Sequence, residues 1–265
     1  LDYSYADAGD GPAVFVILWV LANGGVFVHA MLSGAASAPD PAAQIGRALG
    51  RCADLNGALI LVPMMRRLLT RLRASLFGRF VPIDEAIDFH RLVGHTLFGV
   101  SIAHAAAFVL AYARGHASPA GVFEHVRGAT GLALLAVFAV MWVFSLSFIR
   151  RSRRFELFYF THLLYIAWVA LAIAHAPSFA LWAGVPLAGF GIEQALRLFR
   201  RAPVTPVVSA EALRSGVTRI ELEKPTGFDF DPGDYVFLRV LAIAKREWHP
   251  FTISSAPERD TLTVH

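Results

Sequence analysis

The stretch 89-FHRLVGHTLFGVSIAH-104 decides how this chain is read. It lies in a long apolar run, yet it holds three histidines and an arginine. Ionisable groups inside a membrane-length segment are costly and mark function by default. The question is what justifies His90, His95 and His104 there.

The surroundings set the stage. The chain has 265 residues, 56% of them apolar, and a mean hydropathy of +0.53. Only 17% are charged, and the charges cluster. Between the clusters lie six apolar runs: 12–33, 48–69, 89–112, 129–149, 157–176 and 179–199. Each is long enough to cross a bilayer, which needs about 20 residues of helix. Residues 202–265 differ: they are polar, rich in Pro and Gly, and partly alternating. The sequence predicts an α-helical membrane protein, with a six-helix transmembrane domain over 1–201 and the start of a soluble β domain over 202–265.

No signal peptide is expected, because Asp2, Asp7 and Asp10 precede the first run and no basic segment does. Cys52 is the sole cysteine, which excludes an internal disulfide and any cysteine metal cluster within the chain. It reads as a small apolar residue of the second run. The pI of about 9.6 would suit nucleic acid, but the basic residues sit where membrane topology wants them, so no nucleic-acid partner is expected.

Arginines follow the second run (Arg66, Arg67, Arg71, Arg73, Arg79), separate the fourth from the fifth (Arg150, Arg151, Arg153, Arg154) and follow the sixth (Arg197, Arg200, Arg201). The opposite side holds only Arg47, Arg51, Arg114 and Arg127. Lys and Arg favour the cytoplasmic side. Both termini are therefore expected there, and the third and fifth runs both go from inside to outside.

The third run carries His90 and His104, 14 residues apart. The fifth, in 161-THLLYIAWVALAIAH-175, carries His162 and His175, 13 apart. Each spacing is about 20 Å of helix. His90 and His162 then share an inner depth, and His104 and His175 an outer one. Two stacked pairs of imidazoles suit two iron porphyrins, one ring on each axial face. A bare metal cage fits worse, since zinc wants three or four protein ligands. One difficulty is angular. Fourteen residues at about 100° return to one face, whereas thirteen miss it by roughly 140°. A tightened last turn before Pro177, helix tilt and heme offset are the expected remedies. His95 has no partner at its depth and reads as structural. His29, His116 and His125 lie near helix ends or in the outer loop.

Arg66 lies in the second run, in 58-ALILVPMMRRLL-69. A guanidinium there should meet an anion, and a heme propionate is the obvious one. In the polar end, 217-VTRIELEK-224 alternates like a strand, and 231-DPGDYVFLRV-240 reads as turn then strand. The stretch 249-HPFTISSAP-257 offers rings and hydroxyls for a flat heteroaromatic ligand, or equally a hairpin with a serine-rich turn.

With these pieces the sequence resembles the NADPH oxidase and ferric reductase-like transmembrane family, and more closely its NADPH oxidase branch. The likeness runs through 62-VPMMRRLL-69, 81-VPIDEAIDFHR-91, 149-IRRSRRFELFYFTH-162, 193-EQALRLFRR-201, 232-PGDYVFL-238 and 247-EWHPFTISSAP-257. The resemblance implies two b hemes, the inner on His90 and His162, the outer on His104 and His175. It implies a partial β-barrel FAD-binding domain of the ferredoxin-reductase type. There His249, Pro250, Phe251 and Thr252 lie along the flavin, Ser254 and Ser255 follow, and His265 stands near the FAD pyrophosphate. An NADPH-binding domain would lie beyond residue 265. The implied activity is electron transfer from NADPH through FAD and the hemes to O2, giving superoxide, in the plasma membrane or a bacterial inner membrane.

There is one departure. Oxidases of this family often carry a second histidine four residues after the outer ligand of the third helix. It lines an oxygen site with an arginine of the second helix, a role that falls here to Arg66. This chain has Phe108 at the histidine's place. A ferric-chelate reductase using the same electron path is the alternative reading. The flavin motif argues against a plain cytochrome subunit. The lack of a regular arginine repeat inside any helix argues against a voltage sensor.

Overall fold

A computed structural model describes residues 11–33, 40–73, 75, 83–115, 119–150, 155–199, 203–240 and 248–265. The expectations for Asp2, Asp7, Asp10, Arg79, His116, Arg151, Arg153, Arg154, Arg200 and Arg201, and for residues 81–82 and 247 of the quoted motifs, lie outside these residues. The chain divides into two compact units after Arg197.

The first unit is helical: α1 (Gly11–Leu32), α2 (Pro41–Leu59), α3 (Arg66–Arg73), α4 (Ala86–Gly115), α5 (Val126–Ser145), α6 (Ser147–Arg150), α7 (Phe155–His162), α8 (Tyr165–His175) and α9 (Pro177–Phe199). Five segments are long and apolar enough to cross a membrane: Ala13–Leu32, Ala86–Gly115, Val126–Ser145, Glu156–His175 and Pro177–Leu196. A sixth, Pro41–Met64 with Arg66–Arg73, is bent by 74°. This is a membrane protein with five or six apolar spanning helices.

The second span starts at Pro41, ahead of the 48 that hydropathy gives, because its first turn is capped rather than greasy. Asp40 Oδ1 accepts from the N–H of Ala42 and Ala43 at 2.7 and 3.3 Å, and Pro41 opens the helix. Burial opposes ionisation of Asp40, but hydrogen bonds from Arg114, Ala42 and Ala43 outweigh it and hold the carboxyl below its usual range. The span breaks early, at Pro63. Proline has no N–H for the helical ladder. Met64 and Met65 N–H turn instead to Leu61 and Val62 O, both at 3.1 Å, in a tight turn over Val62–Met64. Arg66 therefore stands exposed at the first position of α3, after the bend, and not within the apolar helix. Glu193 of α9 reaches this break: its Oε1 accepts from Arg67 N at 3.0 Å.

The fifth span is one run in two helices. Leu163 and Leu164 form a turn between α7 and α8. Leu164 N donates to Thr161 O and Ile166 N to Leu163 O, both at 3.2 Å. Such i→i+3 turns advance about 120° per residue in place of 100°. The turn follows His162 directly. Part of the missing angle between His162 and His175 is recovered there, and not in a tightened turn at Pro177. Ala176 N keeps an ordinary bond to Ala172 O at 2.9 Å, and Pro177 opens α9.

The buried core of this unit joins Ala58, Leu97, Phe138, Met141, Trp168, Ala172, Phe179 and Ala183. Leu97 lies midway between His90 and His104 on α4, and Trp168 lies between His162 and His175 on α8. In a bilayer the gain from this cluster is close packing rather than escape from water.

The second unit holds β1 (Val207–Ala212), β2 (Thr218–Glu223), β3 (Tyr235–Leu238), β4 (His249–Thr252) and β5 (Thr261–Val264). They form an antiparallel sheet in the order β1-β2-β5 and a β3-β4 ribbon. Among the described residues the sheet does not close into a barrel. The turn 231-DPGD-234 has Pro232 second and Gly233 third, with φ +96° at the glycine and Asp234 N bonded to Asp231 O at 3.0 Å. That is a type II turn, and it needs glycine there. Leu222, Phe230, Ile253 and Leu262 pack together beneath.

Candidate functional site

The four histidines of α4, α7 and α8 meet in two pairs. The rings of His90 and His162 have centroids 6.2 Å apart, with planes at 63°. Those of His104 and His175 are also 6.2 Å apart, at 82°. The depths deduced from spacing are thus matched in space.

Each ring is held through Nδ1. His90 Nδ1 lies 2.9 Å from Ile60 O, and His104 Nδ1 lies 2.7 Å from Gly46 O. A carbonyl only accepts, so both nitrogens carry the proton. His162 Nδ1 lies 3.3 Å from Ser145 Oγ, whose own O–H donates to Met141 O at 2.7 Å. His175 Nδ1 lies 3.2 Å from Thr130 Oγ1, which donates to Val126 O at 2.8 Å. Both hydroxyls have spent their proton and accept from the imidazoles. All four tautomers leave Nε2 with its lone pair, the arrangement that metal-bound histidines use.

The separation suits an ion between the rings. Two metal–imidazole bonds of about 2 Å, plus roughly 1 Å from each nitrogen to its ring centre, span about 6 Å. The donor set is two neutral imidazoles per level, which would suit a heme iron. Trp168 Nε1, buried between the levels, has no hydrogen-bond partner among the described residues.

Local sequence explains how the rings are supported. The break at Pro63 redirects Met64 N–H to Leu61 O and so frees Ile60 O for His90. At the other level small residues make room. A Cβ on Gly50 would lie 3.2 Å from His104 Cε1, and one on Gly131 would lie 2.8 Å from His175 Cε1. A Cβ on Gly46 would lie 2.8 Å from Phe108 Cε2. Phe108 itself packs on His104, with ring centroids 5.0 Å apart.

The arginine expectation is corrected by this layout. Gly46 marks the outer pair on α2 and Ile60 the inner pair, about 21 Å further along the helix. Arg66 lies beyond Ile60 and past the bend, at the inner end. The arginines beside the outer pair are Arg47, next to Gly46, and Arg51, one turn on. Sequence reasoning passed over both as loop charges. The available signal was that α2 offers the same 14-residue spacing, Gly46 to Ile60, as His104 to His90. His95 accepts from Trp142 Nε1 at 2.8 Å and joins neither pair.

In the second unit, His249, Pro250, Phe251 and Thr252 form β4, paired with Leu238, Phe237, Val236 and Tyr235. His249, Pro250 and Thr252 are exposed and Phe251 half-buried. Ser254 Oγ donates to Thr263 O at 3.0 Å and so accepts from His265 Nδ1 at 3.1 Å. Ser255 Oγ accepts from Thr263 N at 3.1 Å and keeps its own proton to donate. The structure therefore gathers Ser254, Ser255 and His265 at one end of β5, with an exposed imidazole and a hydroxyl donor for an anionic ligand.

A family model described as a ferric reductase like transmembrane component matches residues 56–173. That range takes in His90, His104 and His162 and stops short of His175. A second, an FAD-binding domain, matches residues 204–265. The human protein NADPH oxidase 5 is 36% identical over 260 residues, covering 90% of this chain and 34% of its own length. Human dual oxidase 1 is 35% identical over 237 residues, covering 78% of this chain and 15% of its own. Human dual oxidase 2 is 34% identical over 280 residues, covering 91% and 18%. The chain thus spans about a third of the first of these relatives and less than a fifth of the other two. It belongs to the NADPH oxidase and ferric reductase-like transmembrane family.

Proposed function

We propose that the protein of which this chain is part moves electrons from cytoplasmic NADPH across the membrane to O2 on the outer face, giving superoxide. The observation that carries this reading is the pair of matched histidine pairs with every Nδ1 engaged and every Nε2 left for a metal. FAD and two b hemes, when bound, supply the conversion from two-electron to one-electron chemistry and the path through the apolar layer. His90 with His162 would hold the inner heme, and His104 with His175 the outer. His249, Pro250, Phe251 and Thr252 would lie along the flavin, with Ser254, Ser255 and His265 toward its phosphates. Both termini would be cytoplasmic, since arginines cluster after the second apolar run, between the fourth and fifth, and after the sixth.

With two imidazoles committed at each level, neither pair would keep a position open to the acceptor. The acceptor would then be held beside the outer pair. Arg47 supplies positive charge near that end, and Phe108 makes the wall against His104 apolar. Arg66 keeps only its other role, a cation for a heme propionate at the inner end. Phe108 also favours the second reading, a ferric-chelate reductase, because it removes a polar side chain from the oxygen side. The full-length protein with NADPH separates the two. Reporter reduction that superoxide dismutase suppresses supports the oxidase; activity that requires ferric chelate supports the reductase and overturns the oxidase.

A further inference from the structure

Between α1, α2 and α9 lies a cavity of about 370 Å³ whose walls include Gly25, His29, Ala30, Ser33, Arg51 and Trp182. Its size falls in the range of small-ligand sites, about 300–1,000 Å³. Arg51 follows Gly50, which abuts His104, and so stands about 100° round α2 from the face that packs on the outer pair. The cavity is therefore separate from the histidine site.

Arg51 is the one charged side chain among the described lining residues. Its Nη1 meets Asp54 Oδ2 at 3.2 Å, and Asp54 Oδ2 also accepts from Ser178 Oγ at 3.0 Å. Asp54 is buried and outside the cavity wall, so it anchors one edge of the guanidinium without filling the space. A guanidinium has five N–H donors, and 41% of the Arg51 side chain stays exposed. One cation, one imidazole and one hydroxyl, with no acid in the wall, select an anion with several oxygens. Arginine matches phosphate in particular, two donors to two oxygens. The same helices carry exposed apolar side chains near the cavity: Val28 and Leu32 on α1, Leu181 and Val185 on α9. Acyl chains would lie along them.

We propose that this cavity binds the phosphate of a membrane phospholipid, with Arg51 pairing to the phosphate, His29 and Ser33 hydrogen-bonding its oxygens, and Trp182 walling it. Occupancy bears on the outer pair, because the Asp54–Ser178 bond ties α2 to the corner that follows His175. The test uses the full-length protein, washed of lipid in detergent and given phosphatidylglycerol vesicles, with retained lipid counted by native mass spectrometry. The expected result is retention of bound lipid, reduced about tenfold in Arg51→Gln, the loss of one charge-assisted contact. Gly25→Leu gives an independent arm: a Cβ there meets nothing within 4 Å, so the new side chain can enter the cavity without backbone strain. It should lower retention likewise while heme content and unfolding temperature hold. Equal retention in the parent protein and both variants overturns the site. Full displacement by millimolar inorganic phosphate overturns the lipid assignment.

Discussion

The inner and outer histidine pairs share one ring separation, 6.2 Å, and reach it by different means. The inner pair depends on broken helices. Pro63 ends α2 and frees Ile60 O for His90, and a tight turn follows His162. The outer pair depends on intact helices and missing side chains. Gly46 O lends a second hydrogen bond to His104, while Gly50 and Gly131 leave space for the two rings. The difference teaches that the geometry of the paired rings is not written in the histidines themselves. It is written in residues 17 to 58 positions away, from Ser145 for His162 to Gly46 for His104.

The hardest test of that contrast removes a ligand from each level. His104→Ala and His90→Ala should each lower heme per protein by about half and abolish acceptor reduction, since each takes away one of the two imidazoles that would hold the group at its level. Heme content by pyridine hemochrome decides it. Loss of both hemes from either variant would mean that the two levels are one cooperative site.

A milder test changes the scaffold alone. Gly131→Leu forces carbon into the space that His175 occupies, a misfit of about 1–3 kcal/mol. Redox titration should show the outer heme lost or shifted and the inner one unchanged. Pro63→Ala works at the other end. It restores an N–H to α2 and lets Met64 compete for Ile60 O. The bond to His90 weakens by about 0.5–1.5 kcal/mol. Only the inner midpoint potential should move. A shift of the outer potential in Pro63→Ala, or of the inner in Gly131→Leu, breaks the division of labour.

What the sequence made legible follows the same line. Depths were readable because they depend only on spacing along a helix. The spacing of His90 to His104 and of His162 to His175 gave both pairs. The strand 217–224 and the turn at 231–234 were readable from alternation and from Pro232-Gly233. Phase was not readable, because it depends on where a helix breaks. Apolar composition runs straight through Leu163 and Leu164, so hydropathy could not show the turn. Arg66 was misplaced for a related reason. It follows an apolar run without interruption, and only the bend at Pro63 puts it outside. Arg47 and Arg51 looked like loop charges because the start of α2 is polar and capped by Asp40 rather than hydrophobic.

The smallest expected effect lies far from either pair and serves as their control. Glu221 on β2 accepts from Thr261 Oγ1 at 2.7 Å and from Ser209 Oγ at 3.2 Å. The bond from Thr261, then that from Ser209, holds its carboxyl below the usual carboxylate range. A folded value below the unfolded one of about 4.3 means that the contribution is present at neutral pH and is lost as pH falls through the folded value. Thr261→Val removes the larger of the two bonds. The variant should therefore exchange its β2 and β5 amides faster than the parent at neutral pH, with the gap closing in acid. A gap that stays constant with pH would exclude Glu221 as its source. Both heme potentials should be unmoved, because each level is built from helices of the other unit, and a change in either would show that the sheet helps to set it.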